Sequence, residues 1–323
     1  MNKSKTLFSL IMIFGTVMTM SSNNWISMWM GLEINMMAFI PMVSSKNKSS
    51  SEVMMIYLLV QSISSMMLMF SIIMLNLSAS VFESMMMISL LIKLGAAPFH
   101  MWLPEIISKM NWTSSFILMT WQKLAPMMMI NNLSFNNKIM YLSIIASVIV
   151  GAVGGLNQLS LRKMLGYSSI NHLGWMLSLS KIKNNWMMYM IIYVIMMLML
   201  CWMFNQYNMI HISQVNNMNL TMTEKTSYFI AMLSLGGLPP FLGFLPKWMV
   251  IQTLIMDKLF IMMIIMVMCS LLSLFYYMRT MTKMMITFST MNKWVIMKSN
   301  KTLINMIMII NMSLPVILIM NMM

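Results

Sequence analysis

Long apolar runs follow one another from end to end of this chain, each close to the roughly 20 residues that a helix needs to cross a hydrocarbon core. They lie at about 6–20, 25–43, 53–76, 83–103, 112–132, 139–156, 163–180, 185–208, 226–256, 259–280 and 303–322, joined by short connections rich in Asn, Ser and Lys. Such a pattern leaves few folds open. Backbone surrounded by lipid must satisfy its own hydrogen bonds, so the runs predict an all-α, polytopic bundle of about 11 helices in one transmembrane domain over 1–323. Composition excludes the soluble alternative. Only 8% of residues are charged and 60% are hydrophobic, against about 25% charged in an ordinary soluble domain. A water-facing exterior cannot be assembled from so few charges.

The net charge of +14 is spread in ones and twos, without the clustered basic face that nucleic acid requires. Alternating the runs across a membrane sorts it. On the N-terminal side fall Lys3, Lys5, Lys46, Lys48, Lys109, Arg162, Lys163, Lys225, Arg279, Lys283, Lys293, Lys298 and Lys301; on the other side fall Lys138, Lys181, Lys183 and Lys258. The positive-inside rule then places the N-terminus in the cytoplasm-like compartment, the matrix in a mitochondrion. The basic N-terminal segment lacks a small-x-small cleavage pattern and reads as a retained first helix. Cys201 and Cys269 sit in apolar runs as small buried hydrophobes, and no metal or cluster motif is present. The 56 Met and the scarcity of Arg fit an AT-rich gene read with a code in which ATA means Met, as in many animal mitochondria.

Three basic residues belong to no loop: Lys93, Lys123 and Lys247. Glu33 joins them, about eight residues and so roughly 12 Å into the second run. Lys93 lies roughly 15 Å into the fourth, and Lys123 near the middle of the fifth. A charge at the bilayer centre costs about 2.5–3.5 kcal/mol on insertion scales, and persists where it pairs or lines a hydrated path. Any one lysine could be snorkelling or sit at a misjudged helix end. Several at similar depth argue against that, because snorkelling works only near helix ends. An acid and a base at matched depth suggest an ion pair, and a buried lysine with a movable partner suits a proton relay.

Two stretches break helical geometry at the same depth: Lys93–Glu105, with Gly95 and Pro98, and Ser234–Trp248, with Gly236, Gly237, Pro239 and Pro240. Leu-Gly, then Pro-Phe, then Leu-Pro recur in both with a one-residue offset. They fall on the fourth and ninth runs and so cross in opposite directions, as interrupted helices do in an inverted repeat. Two unrelated proline kinks are the competing explanation. His100 and His172 are candidates to bridge a water chain, or else hydrogen-bonded packing residues. His211 lies in a loop, and Glu105 and Arg162 near the boundary.

Several stretches, in order, carry a family resemblance: Trp29–Asn35, Lys93–His100, Thr120–Pro126, Gly154–Gln158, Leu161–Lys163, Tyr167–Ile170 and Leu235–Trp248. Through them the chain resembles the subunit 2 family of the NADH dehydrogenase of mitochondrial respiratory complex I, in its arthropod form, over most of its length. The resemblance implies an antiporter-like membrane subunit of two inverted five-helix repeats, about 6–132 and 139–280, with an extra C-terminal helix at about 303–322. It implies proton transfer through Glu33 as acidic partner of Lys93, Lys123 as central relay and Lys247 as exit-side residue. It also implies the mitochondrial inner membrane, and other complex I membrane subunits as partners. The chain would be a cofactor-free part of an H+-translocating NADH:ubiquinone reductase, with NADH, FMN, iron–sulfur clusters and ubiquinone handled by other subunits.

Other functions fit less well. An autonomous cation/proton antiporter of the same fold is the alternative, and a purely structural scaffold a third. A transmembrane haem protein needs axial ligands, and the histidines stand apart. No Gly-x-Gly-x-x-Gly follows a strand.

Overall fold

The structure, a computed structural model, describes residues 2–44, 48–75, 78–133, 137–180, 185–216, 222–286 and 301–314. Lys46, Lys181, Lys183, Lys293, Lys298 and the 315–322 end of the last expected helix lie outside the described residues. The elements are α1 (Asn2–Ser21), α2 (Trp25–Val43), α3 (Lys48–Met74), α4 (Ala79–Leu94), α5 (Trp102–Lys109), α6 (Trp112–Met119), α7 (Trp121–Asn132) and α8 (Asn137–Leu156). There follow α9 (Leu161–Leu179), α10 (Asn185–Gln206), α11 (Ile212–Asn216), α12 (Met222–Gly236), α13 (Phe244–Met256), α14 (Phe260–Ile286) and α15 (Lys301–Asn311). Among the described residues the extended structure is one antiparallel bridge, Ser160 with His211.

Six of these helices, α1, α2, α3, α8, α10 and α14, are long and apolar enough to cross a membrane unbroken. Three expected spans are instead built from half-helices. The run at 83–103 divides into α4 and α5, and that at 226–256 into α12 and α13, at the two breaks read from the sequence. The run at 112–132, expected to be continuous, is also divided: Thr120 leaves helical geometry (φ −117°, ψ −71°) between α6 and α7. Pro126 weakens the turn that follows, since it has no N–H to offer the Gln122 carbonyl. Outward-facing Leu10, Phe14, Met66, Met256 and Ile261 give the helices an apolar exterior suited to lipid.

The chain forms two compact units, and the division passes through α8 and α9. In the first (1–147 and 172–183), α1 packs closely on α2, α2 and α4 on α3, and α7 on α1, α2 and α4. The α1–α2 contact depends on small residues. A Cβ on Gly31 would lie 2.8 Å from the Gly15 carbonyl oxygen and 2.6 Å from Thr19 Cγ2. Close backbone approach of this kind replaces hydrophobic association in lipid, and it fixes the helix that carries Glu33. In the second unit (148–171 and 184–323), α12 is central, packing on α10, α14 and α15.

Candidate functional site

The two helix breaks are the same backbone device. At the first, Gly95 is left-handed (φ +68°), its N–H donates to the Ile92 carbonyl, and the Ala96 N–H donates to Leu91. At the second, Gly237 is left-handed (φ +77°), its N–H donates to Ser234, and the Leu238 N–H donates to Leu233. Both are Schellman endings, which satisfy helix-terminal carbonyls that lipid could not. The pairing corrects the sequence alignment. Gly237, not Gly236, is the counterpart of Gly95, and Gly236 is still helical. Pro98 and Pro240 then each follow the left-handed glycine by three residues, and the one-residue offset disappears. Pro98, Pro239 and Pro240 lie exposed at the turns, and the Ala97–Pro98 bond is cis.

In the first unit the Gly95 and Thr120 breaks flank a charged and polar locus. Lys93, in the last turn of α4, is 6% exposed, and its Nζ lies 3.6 Å from Glu33 Oε1 on α2. That separation is an ion pair beyond hydrogen-bond reach. Lys123, on α7 just after the Thr120 break, is 2% exposed. Both lysines line one cavity of about 20 Å³, together with Asn35, Tyr57, Gln61 and Gln122. A polar cavity of this size has room for water. Its walls are tied together: Gln122 Nε2 donates to Asn35 Oδ1 (3.1 Å), Tyr57 Oη to Gln122 Oε1 (3.4 Å), and Gln61 Nε2 to the Lys93 carbonyl (3.2 Å).

In the second unit Lys247, in the first turn of α13, is 5% exposed. Its Nζ donates to the Gly236 carbonyl at the end of α12, at 2.7 Å. The carbonyl end of a helix carries partial negative charge and is a natural seat for an ammonium. Gly237 is required here twice over. It takes a left-handed φ, and a Cβ would lie 2.7–2.9 Å from Lys247 Cδ, Cε and Nζ.

His172 is buried on α9, in the first unit. His100 is half-exposed, with Nδ1 3.1 Å from the Pro98 carbonyl, a contact local to its own turn. Lys225, counted among the loop charges, is corrected: it is 3% exposed inside α12, because packing on its neighbours covers the helix start. Arg279 is likewise drawn inward, its guanidinium donating to the Leu156 and Gln158 carbonyls at the end of α8. Sequence reading passed over Asn35, Tyr57, Gln61 and Gln122. Uncharged polar residues carry no topological signal, although Asn35 lies two residues from Glu33 and Gln122 directly before Lys123. Among the described residues no group of three or more His, Cys, Asp or Glu is placed to hold a metal.

Comparison with known proteins gives a consistent result. Residues 22–83 and 75–273 match the family described as NADH:quinone oxidoreductase/Mrp antiporter, transmembrane. The NADH-ubiquinone oxidoreductase chain 2 of Anopheles gambiae is 43% identical over 307 residues, 91% of this chain and 89% of that one. Among solved structures, a chain of respiratory complex I from Thermus thermophilus superposes with a TM-score of 0.81 at 19% identity, covering 87% of this chain and 70% of that one. A chain of the Mrp complex from Dietzia sp. does so at 0.75 and 15% identity, covering 86% of this chain and 59% of that one.

Proposed function

The chain belongs to the NADH-ubiquinone oxidoreductase chain 2 family, and from that membership we propose that it is a proton-conducting subunit in the membrane arm of the H+-translocating NADH:ubiquinone oxidoreductase. Its location is the mitochondrial inner membrane, with the N-terminus on the matrix side, where the sorted basic residues accumulate. Its partners are other membrane subunits of the complex. The redox groups and quinone belong to those other subunits, so this chain moves protons and not electrons. Two inverted repeats, about 6–132 and 139–280, account for the matched Schellman breaks.

One observation carries the mechanistic reading: a single polar cavity touches both Lys93 and Lys123, while Glu33 stands beside Lys93. Quinone chemistry elsewhere would shift the Glu33–Lys93 pairing. Loss of the carboxylate from the lysine weakens its hold on a proton, and the cavity provides the water through which that proton reaches Lys123. Lys247 serves as the exit-side group. A shift of one pKa unit corresponds to about 1.4 kcal/mol, and moving a charge against the membrane potential costs about 2.3 kcal/mol per 100 mV. A swing of a few units is therefore sufficient. Of the two histidines, His172 is the better placed to contribute, because the His100 contact is local to its own turn while His172 is buried.

The likeness to the Mrp chain concerns fold alone, and the relatives at 43% identity favour the respiratory subunit over an autonomous antiporter. The test is Lys123→Ala in the assembled complex. Protons moved per NADH oxidised should fall while assembly persists, and an unchanged ratio would overturn the relay. Cation exchange by the purified chain alone in proteoliposomes would support the antiporter instead.

A further inference from the structure

One helix of the first unit turns polar groups inward although it is long and apolar enough to cross lipid. On α3 the outward residues Leu59, Ile63 and Phe70 are apolar and exposed. Tyr57, Gln61 and Ser65 are buried and recur at one-turn steps along the inner face. Apolar side chains would fill that face without the cost of desolvating polar groups. Each of the three steps is instead hydrogen-bonded to a different helix that carries a relay residue.

At Ser65 the backbone carbonyl accepts from Trp29 Nε1 on α2, at 3.3 Å, one turn before Glu33. At Gln61 the side-chain Nε2 donates to the Lys93 carbonyl on α4, at 3.2 Å. At Tyr57 the hydroxyl donates to Gln122 Oε1 on α7, at 3.4 Å, and Gln122 directly precedes Lys123. Ring contacts set the same register. The Phe39 ring on α2 lies 5.0 Å from Tyr57, and the Phe82 ring on α4 lies 6.1 Å from Phe70, centroid to centroid. Both neighbours therefore run antiparallel to α3, and Gln61 stands level with Glu33 and Lys93. From Tyr57 to Ser65 the helix rises about 12 Å.

The same face bridges the first helix break. Gln61 holds the last turn of α4, on one side of Gly95. The Tyr57 ring meets Trp102, the first residue of α5, on the other side, centroids 6.1 Å apart. Because the chain leaves the helix at Gly95, the Lys93 carbonyl is one of the terminal acceptors that α4 itself cannot satisfy. The Gln61 amide supplies the donor. Tyr57 and Gln61 line the cavity that both lysines share. The Lys93 backbone is thus tied down, whereas its ammonium stands 3.6 Å from Glu33 Oε1, beyond hydrogen-bond reach.

We propose that α3 is a splint across the first helix break, with Gln61 and Tyr57 as positioning residues that hold the Lys93 and Lys123 backbones at a fixed separation. This role rests on the reading of both lysines as relay residues. Two half-helices joined by a turn can tilt against one another when the charge on Glu33 or Lys93 changes. Gln61 pins α4 through the Lys93 carbonyl, and Tyr57 pins α7 through Gln122. The response is then confined to the Lys93 side chain, whose flexible four-carbon stem carries the ammonium between Glu33 and the cavity. Gln61 and Tyr57 act through geometry and exchange no proton.

Gln61→Met, Gln61→His, Tyr57→Phe and Lys93→Met are compared in the assembled complex in sealed vesicles, reading protons moved per NADH oxidised. Met matches glutamine in length without an N–H, and His returns an N–H of similar reach. The splint requires Gln61→Met to lower the ratio about threefold, the scale of one lost hydrogen bond, and Gln61→His to recover most of that loss. Tyr57→Phe should lower it about twofold, on the same scale. A packing role alone would put Gln61→Met above Gln61→His, because Met fills the glutamine's space, and that order would overturn the splint. Tyr57→Phe keeps the ring contacts and removes a single oxygen, so it decides the matter should Gln61→Met fail to assemble. Wild-type ratios in Gln61→Met and Tyr57→Phe beside a low ratio in Lys93→Met would overturn the splint and leave the relay standing. A wild-type ratio in Lys93→Met would overturn the relay and the splint with it.

Discussion

The two helix breaks use one backbone motif to present two different lysines. Lys93 precedes its left-handed glycine and faces Glu33 at 3.6 Å; Lys247 follows its glycine by ten residues and is seated on the Gly236 carbonyl at 2.7 Å. A carboxylate can gain a proton or move away, so the field at Lys93 is adjustable. A helix-terminal carbonyl keeps its dipole, so the Gly236 seat at Lys247 is constant. On the proposed relay, the same fold element supplies a switchable station in one unit and a fixed one in the other.

The strongest challenge to this contrast is Glu33→Gln. It removes the adjustable charge and leaves the Lys247 seat untouched, so proton translocation should fall tenfold or more while assembly is largely kept. The readout is the proton-to-electron ratio in sealed vesicles. An unchanged ratio would make the first station as fixed as the second.

The next largest effect concerns the glycines. Gly95→Ala and Gly237→Ala each force a side chain into a left-handed φ, at a cost on the order of 1–3 kcal/mol. They should differ in consequence. A Cβ at Gly95 meets Leu103 Cδ1 at 2.9 Å, whereas one at Gly237 meets Lys247 itself. Thermal denaturation of the complex should show comparable losses for the two, with the larger loss of pumping in Gly237→Ala. Equal pumping would mean that the Lys247 seat is not functional.

Gln122→Leu sharpens the first station. It severs the links to Asn35 and Tyr57, worth about 0.5–1.5 kcal/mol each. A severalfold drop in turnover with near-normal assembly is expected, measured as coupled NADH oxidation. The smallest effect belongs to Glu52→Gln. Its ion pair with Lys109 is surface-exposed and worth about 0–1 kcal/mol. Pumping and melting temperature should remain at wild-type values, which separates buried from exposed charge pairing.

Much of this was legible in residue order. The runs of apolar residues set the helices, and charge too deep for any loop singled out Glu33, Lys93, Lys123 and Lys247. The Pro/Gly clusters located both long breaks. The Thr120 break was not legible, because neither glycine nor a proline lies at the point of division and Pro126 acts from six residues away. Glu224 was not legible either. At a helix start it reads as an ordinary boundary acid, and only tertiary packing, with the Tyr207 hydroxyl donating to its Oε1, buries it.

The sequence by itself determined that the chain is a membrane bundle, which two spans carry Pro/Gly breaks, and that Glu33, Lys93, Lys123 and Lys247 lie within apolar runs. Period, length and solvation cost are local properties, and lipid permits few answers to them. Tertiary structure alone decided that Lys93 faces a carboxylate while Lys247 faces a carbonyl, that Gln122 joins Asn35 to Tyr57, and that Lys225 is buried. Those outcomes depend on which faces of distant helices meet. The intramembrane lysines were visible from the start; what each one can do was set by the group placed opposite it.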